Sequence, residues 1–368
     1  MKVLHIFKTY FPDTSGGLEQ VIRQICLSTI PYGYGHTVVC LSKSATPAIV
    51  IRPEARVVRY PELLDIASTP VGVRFMAGAR ALIKHTDIVH YHYPWPVGDM
   101  VHSLWGRRHP SIVTYHSDIT KFKQLKYLYK PLMNSFLGSV DTIVATSDNY
   151  LETSADLARF KPKCTVIPIG IDEASYPEPE QETMARWEQR LGRGFFLFIG
   201  VLRYYKGLHL LLNAIKGASF KLVIVGSGPM ESSLKQQAIT LGLNNVVFTG
   251  YVSDEDKVAL LRLCRAVVFP SHIRSEAFGV TLVEGAMFGK PLISTELGTG
   301  TSFVNKHGET GYVVPPSNPE ALRQAMERLA RDDARDVRMG RMARVRYLDL
   351  LTADRMGRLY VNAYQGIS

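Results

Sequence analysis

The sequence predicts an α/β protein built from two doubly wound parallel sheets. Three observations carry that expectation. Short Val/Ile-rich runs alternate with helix-periodic stretches from one end to the other, the pattern of strands joined by right-handed helical crossovers. Most of these runs are almost continuously apolar, as parallel strands covered on both faces require. A Pro- and Glu-rich stretch separates two strand-rich halves.

In the first half the strand runs are 2–8, 36–42, 56–60, 87–92, 111–116, 142–146 and 164–167. In the second they are 195–202, 221–225, 246–249, 266–269, 291–294 and 311–314. Stretches 208–215, 230–241 and 319–329 carry helical periodicity between them. The expected organisation is a first domain over 1–172, a linker over 173–194 and a second domain over 195–351. A last helix within 352–368 is expected to pack back on the first domain. The chain has 368 residues, enough for two ordinary cores, and shows neither an internal repeat nor low complexity.

Composition narrows the class. At 46% hydrophobic and 21% charged residues, the chain reads as globular and not disordered. Cys26, Cys40, Cys164 and Cys264 are scattered with no Cys-x-x-Cys, which argues against a disulfide framework or structural zinc and for buried thiols in a reducing cytoplasm. The apolar opening run is too short for a secretory signal. The run 195–202 falls far below the roughly 20 residues of a spanning helix. The net charge is +10 and uneven: residues 1–170 hold 19 Lys/Arg against 12 Asp/Glu. That bias points to an acidic surface or anionic substrate on the first half.

Two glycine turns follow strands, Gly16-Gly17 and Gly226-x-Gly228. Either could bring backbone close to a phosphate at a helix N-terminus. A dinucleotide fingerprint is not completed at the second, where Glu231 takes the third glycine position. No acidic residue ends the next strand after either turn to hold a ribose, which argues against a nicotinamide enzyme. Arg203 and Lys206 follow the first strand of the second half and precede a helix, where a planar fork and a point charge can clamp a diphosphate.

The stretch "SHIRSEAFGVTLVEGAMFGKPLIS", 271–294, places Glu276 in a loop and Glu284 in the following helix, with the turn Phe278-Gly279-Val280-Thr281 between them. The first-turn amides of Gly279, Val280, Thr281 and Leu282 suit a phosphate. The carboxylates do not, so they are expected to serve hydroxyls of a larger ligand. A ligand with hydroxyls on both sides of a diphosphate is a nucleotide sugar.

These residues resemble the family-4 glycosyltransferases, retaining enzymes of the GT-B fold. The resemblance rests on Gly16-Gly17, "YHSD" at 115–118, "VIPIGID" at 166–172, "GVLRYYKG" at 200–207 and "VIVGSGP" at 223–229. It continues through "TGYVSDED" at 249–256, the Glu276–Glu284 element and "GETGYVVPP" at 308–316. It implies two Rossmann-like domains facing across a cleft. Gly17, with Gly16, would approach the donor phosphate, and Arg203 and Lys206 would neutralise the leaving diphosphate. Tyr251 and Val252 would border the base, Glu276 would hold the transferred sugar, and Glu284 the ribose. Phe278, Gly279, Val280, Thr281 and Leu282 would seat the diphosphate, and His116 would stand near acceptor and sugar. No metal or other cofactor is implied. The stretch 296–316 is similar to bacterial polysaccharide and O-antigen mannosyl- and rhamnosyltransferases, which points to GDP-mannose, with GDP-rhamnose or a UDP-sugar as alternatives.

Asp254-x-Asp256 has the shape of a metal pair but precedes a helix, so capping by Ser253 or Asp254 accounts for it. His90 and His92 share one strand face, yet His102 and His116 offer no convincing third ligand. A glycosidase pair at Glu276 and Glu284 is disfavoured by the surrounding cations. A non-catalytic nucleotide-sugar-binding protein remains the rival class. Arg107, Arg108, Lys121, Lys123, Lys126 and Lys130 cluster with an amphipathic stretch over 121–137. That patch suits the anionic inner face of the cytoplasmic membrane, the resemblance implies a glycan or polyprenyl-diphosphate-linked acceptor, and no nucleic acid motif accompanies the patch.

Overall fold

The computed structural model describes residues 1–14, 16–66, 69–119 and 123–367. The strands of the first half are β1 Lys2–Ile6, β2 Gly35–Ser42, β3 Ile49–Ile51, β4 Arg56–Pro61, β5 Leu64–Ile66 and β6 Thr69–Val71. They continue with β7 Ile88–Tyr93, β8 Ser111–Tyr115, β9 Thr142–Ala145 and β10 Cys164–Val166. The second half holds β11 Phe196–Ile199, β12 Leu222–Val225, β13 Val246–Gly250, β14 Ala266–Phe269, β15 Leu292–Thr295 and β16 Gly311–Val314. The helices run α1 Gly17–Thr29, α2 Val73–Ile83, α3 Pro96–Val101, α4 Lys123–Ser139, α5 Asp148–Thr153, α6 Gln181–Leu191 and α7 Leu208–Ala214. Then come α8 Glu231–Thr240, α9 Asp254–Leu263, α10 Val280–Met287, α11 Gly300–Val304, α12 Pro319–Arg331, α13 Asp333–Leu350 and α14 Ala353–Gln365.

The chain folds as two compact units, one of residues 1–170 with 353–368 and one of residues 171–352. In the first, the sheet order is β10-β9-β8-β7-β1-β2-β4-β3, parallel except for the edge strand β3. The sequence reading missed β3 and the small β5–β6 hairpin. Both are three-residue strands, and β3 lies open to solvent with no alternation to betray it. Phe7, Ile22, Cys26, Val38, Cys40 and Val57 form a core between α1 and the sheet. Helix α14 packs on α1 and sends Tyr360 and Tyr364 inward. Tyr364 is fully buried, its ring tilted against Tyr34 and its hydroxyl 2.8 Å from His90 Nδ1.

The second unit carries an all-parallel sheet in the order β13-β12-β11-β14-β15-β16. Phe196, Phe198, Leu212, Ile224, Val268 and Ile293 occupy its centre. Residues 173–194, read as a linker, belong to this unit. After a 3-10 turn at Glu173–Ser175, α6 buries Trp187 and Leu191, and Trp187 Nε1 donates to Asp256 Oδ1 at 2.7 Å. The charge-rich outer face of α6 had hidden its narrow apolar stripe. The run 195–202 ends as a strand at Ile199, where the chain turns into a loop. Cys26, Cys40 and Cys264 are buried thiols, whereas Cys164 is only half-buried.

Truncating Tyr364 to Ala removes a large buried ring from the α14 seam. We expect it to lower stability by ~3–5 kcal/mol, read as an earlier midpoint in urea unfolding.

Candidate functional site

In the second unit β11 lies between β12 and β14, so the connections leaving β11 and β14 depart to opposite sides. Ligands of open α/β sheets bind at the carboxyl ends of strands at such a switch point. Two loops meet there. The one after β11 carries Arg203 and the 3-10 turn Tyr204–Lys206, and the one after β14 spans 270–279. Their approach is tight: a Cβ on Gly207, whose φ is +72°, would lie 2.0 Å from Pro270 O. His272 N–H donates to Tyr205 O at 3.0 Å across the same seam.

Lys206 Nζ donates to Glu276 Oε2 at 2.5 Å, and Ser271 Oγ donates to the same oxygen at 3.1 Å. Nζ also stands 4.5 Å from the centre of the Phe269 ring. Both side chains of the pair are largely buried. The two residues expected to serve opposite parts of one ligand are therefore partners. Arg203 is exposed beside them.

Helix α10 starts from Gly279, held in the left-handed region at φ +87°. Thr281 Oγ1 donates to Ile199 O at 3.2 Å, tying the helix to the end of β11. Leu282 N–H already donates to Gly279 O at 2.9 Å, a correction to the four-amide expectation. Val280 and Thr281 remain the first-turn amides without an intrahelical acceptor, and no acid occupies that turn. Phe278 and Leu282 are buried core residues, so only their backbone could meet a ligand.

Glu284 lies one turn deeper, buried, accepting from Tyr176 Oη at 2.8 Å and pairing with Lys257 Nζ at 3.1 Å. Burial pulls the Lys257 pKa down, but Glu284 and Asp254 outweigh it and leave it raised. Burial and the Glu284 charge push the Tyr176 phenol well up. Neither residue had a sequence signal, since each reaches Glu284 from a distant element. Tyr251 is 81% exposed after β13 and Val252 half-buried. Ser253 caps α9, its Oγ accepting from Asp256 N–H at 3.0 Å. Asp254 pairs with Lys257, and Asp256 with Arg186.

In the first unit Gly16 is the N-cap of α1 and Gly17 its first residue. Glu19 in that first turn accepts from Thr9 and Thr14 hydroxyls at 2.8 and 2.7 Å and so fastens the turn, a role the sequence reading overlooked. His116 follows β8 at the carboxyl edge of the sheet. It ends a buried row of imidazoles: His36 Nδ1 to His5 Nε2, His5 Nδ1 to His92 Nε2, and His92 Nδ1 to His116 Nε2, each at 3.0 Å. Strand register explains the row. His36 pairs with Val3, His5 with His90, and His92 with Thr114. Each neighbouring strand thus offers a histidine two residues further along on the same face.

The third partner absent from the sequence reading of His90 and His92 is His5, on adjacent β1. His5, His90 and His92, like His5, Cys26 and His36, bring ligand atoms within 4.8 Å of one another. The nitrogens of His5 and His90 are already engaged, those of His90 by Tyr364 and Thr114.

On the basic patch, Arg107, Arg108 and Lys130 are exposed, as are the apolar Tyr127 and Leu128 of α4. Lys121 lies outside the described residues, and so do the side chains of Lys123 and Lys126. Arg80, Lys84, Trp105, Arg107, Arg108 and His109 help to line a surface cavity of about 370 Å³. Farther along α4, Met133, Phe136 and Leu137 are buried.

Comparison with known proteins decides the family. Residues 15–175 match Glycosyltransferase Family 4 and residues 179–346 match Glycosyl transferases group 1. D-rhamnosyltransferase WbpZ of Pseudomonas aeruginosa is 51% identical over 96% of this chain and 93% of its own length. The chain belongs to the family-4 glycosyltransferases. This glycosyltransferase is also 45% identical to O-antigen chain mannosyltransferase C of Escherichia coli, over 99% of the chain and 98% of that protein. Among solved structures, Anabaena HepE in complex with UDP and glucose superposes with a TM-score of 0.82 over the whole of both chains at 17% identity, a likeness of fold. The fold is GT-B, made of two parallel-sheet α/β units. No helix among the described residues is long and apolar enough to cross a membrane.

The histidine row also sets a pH response. Burial, reinforced for some by neighbouring imidazoles, lowers His36 to about 4 and His116 to about 3, and holds His5, His90 and His92 well below the ordinary 6.5. The unfolded chain binds protons near pH 6.5 that the folded glycosyltransferase refuses. Above pH 6.5 this difference costs the fold nothing, and stability drains as pH falls toward 4, by up to about 1.4 kcal/mol per pH unit for each histidine. Urea midpoints should drop steeply between pH 7 and pH 5, and a flat profile would count against five neutral buried rings.

Proposed function

We propose that this glycosyltransferase moves a mannose from GDP-mannose to a growing glycan or lipid-linked acceptor of O-antigen polysaccharide, with retention at the anomeric carbon and without a metal. GDP-rhamnose and UDP-sugars are the alternative donors. The carrying observation is the convergence of Lys206, Glu276 and the Val280 and Thr281 amides at the switch point of the second unit. The names of the rhamnosyl- and mannosyltransferase relatives support the sugar class.

Breaking the anomeric bond leaves negative charge on the departing diphosphate and cationic character on the sugar. Lys206, the exposed Arg203 and the two amides stabilise the diphosphate, and they act most strongly where charge grows in the transition state. For Lys206 to reach phosphate it exchanges its bond to Glu276, and that exchange frees the carboxylate for a sugar hydroxyl. Glu284, oriented by Tyr176 and Lys257, accepts from the ribose, and exposed Tyr251 offers a ring face to the base. On the family resemblance alone, Gly17 is assigned to the donor phosphate and His116 to the acceptor and transferred sugar. Retention follows when the acceptor attacks the face the diphosphate leaves, with a phosphate oxygen taking the acceptor proton.

The exposed Arg107, Arg108 and Lys130 with Tyr127 and Leu128 favour peripheral binding at the anionic inner face of the cytoplasmic membrane, where a polyprenyl-diphosphate-linked acceptor resides.

Release of GDP from GDP-mannose that depends on added acceptor tests the reading, with UDP- and ADP-sugars run in parallel. Lys206→Ala should lower turnover by roughly 10²–10³, the scale of one lost charge-stabilising donor. Turnover close to wild type in that variant contradicts the clamp.

A further inference from the structure

Each hydrogen bond between neutral imidazoles needs one N–H and one lone pair, so a row of four rings runs in a single direction. Both directions contain the same bonds between rings. Cys26 Sγ, at 3.5 Å from His5 Nε2, is a weak side contact that accepts in one direction and donates in the other. The strong contacts that distinguish them lie at the ends. At the far end Thr29 Oγ1 stands 2.9 Å from His36 Nε2, 2.7 Å from Ile25 O and 3.3 Å from Cys26 O. A carbonyl oxygen can only accept, so the hydroxyl hydrogen of Thr29 points into α1. Its oxygen must then accept from His36 Nε2–H. His36 Nδ1 is left as a lone pair that accepts from His5 Nε2–H, His5 Nδ1 accepts from His92 Nε2–H, and His92 Nδ1 accepts from His116 Nε2–H.

We infer that Thr29, acting through His36, His5 and His92, fixes His116 as the Nε2–H tautomer, so that its Nδ1 is a lone-pair acceptor for a hydroxyl of the sugar substrate. The substrate half of this statement rests on the proposed glycosyl transfer. His116 Nδ1 is buried with no hydrogen-bond partner among the described residues. An interior acceptor without a donor carries a cost that a bound hydroxyl relieves. The reversed row would turn an N–H outward at this position and set a bare His36 Nε2 against the Thr29 lone pairs. Burial keeps every ring of the row neutral at physiological pH, so the row fixes tautomers and stores no proton. Thr29, His36, His5 and His92 are positioning residues, and His116 alone meets the ligand.

The test uses the full chain labelled with ¹⁵N-histidine, long-range ¹H–¹⁵N correlation at neutral pH, and steady-state transfer kinetics. The wild type should show His116 protonated at Nε2 and bare at Nδ1. Thr29→Val keeps the volume but removes the acceptor. It should shift His116 toward the Nδ1–H form and lower kcat/KM for the acceptor about tenfold, the scale of one neutral hydrogen bond, with little change in Tm. In His116→Asn an amide oxygen takes the place of Nδ1 while the link to His92 is lost, so adding Thr29→Val there should cost nothing more.

Three results overturn the inference: a wild-type His116 protonated at Nδ1, an equal loss from Thr29→Val in both backgrounds, or stoichiometric zinc uptake that replaces the ring protons. Wild-type protein with the expected tautomers that transfers no sugar to any acceptor overturns the functional reading and the substrate half, and leaves the tautomer assignment standing.

Discussion

The Lys206–Glu276 pair is the interaction on which the second unit's site depends. It closes two loops that leave neighbouring strands in opposite directions, and it does so at the carboxyl edge of the sheet, where α10 opens. Burying a cation against an acid demands a close and well-bonded geometry. Ser271 supplies a second donor to the acid, and the Phe269 ring faces the ammonium. The tight seam at Gly207 and Pro270 holds the backbones in place. In the proposed function, a ligand that carries both an anion and hydroxyls lets the two exchange partners while the ammonium and the carboxylate each keep a hydrogen bond.

The first unit solves a different problem. A parallel sheet covered on both faces has little room for polar groups, yet β2, β1, β7 and the end of β8 each place a histidine on one face. The rings satisfy one another, and α1 and α14 supply the hydroxyls at the margins through Thr29, Tyr360 and Tyr364. Every inner nitrogen is paired, and the orphan lies at the edge of the sheet that doubly wound folds use for ligands. Stability and orientation of the terminal imidazole thus come from the same row.

Much of the fold was legible because continuous Val/Ile runs have few other uses in a chain of this composition. The strands it hid were the three-residue ones, which are too short to show a period. The 173–194 stretch misled because Pro177, Pro179 and several acids precede α6, while its buried side is marked only by Thr183 and the apolar Trp187 and Leu191. Of the candidate site, the strand–loop–helix order around Glu276 and Glu284 was legible. Lys257 and Tyr176 stayed invisible, as partners that meet through the fold leave no spacing in the sequence. The histidine row was hidden for the same reason: its members are separated by 24 to 87 positions, and only strand register aligns them.

The proposed function places a nucleoside diphosphate at the entrance to α10. A crystal structure of the chain with GDP tests that placement. Phosphate oxygens should lie within hydrogen-bond reach of the Val280 and Thr281 amides, with Lys206 Nζ turned from Glu276 toward the phosphate. A diphosphate bound elsewhere, with the Lys206–Glu276 pair intact, would contradict it.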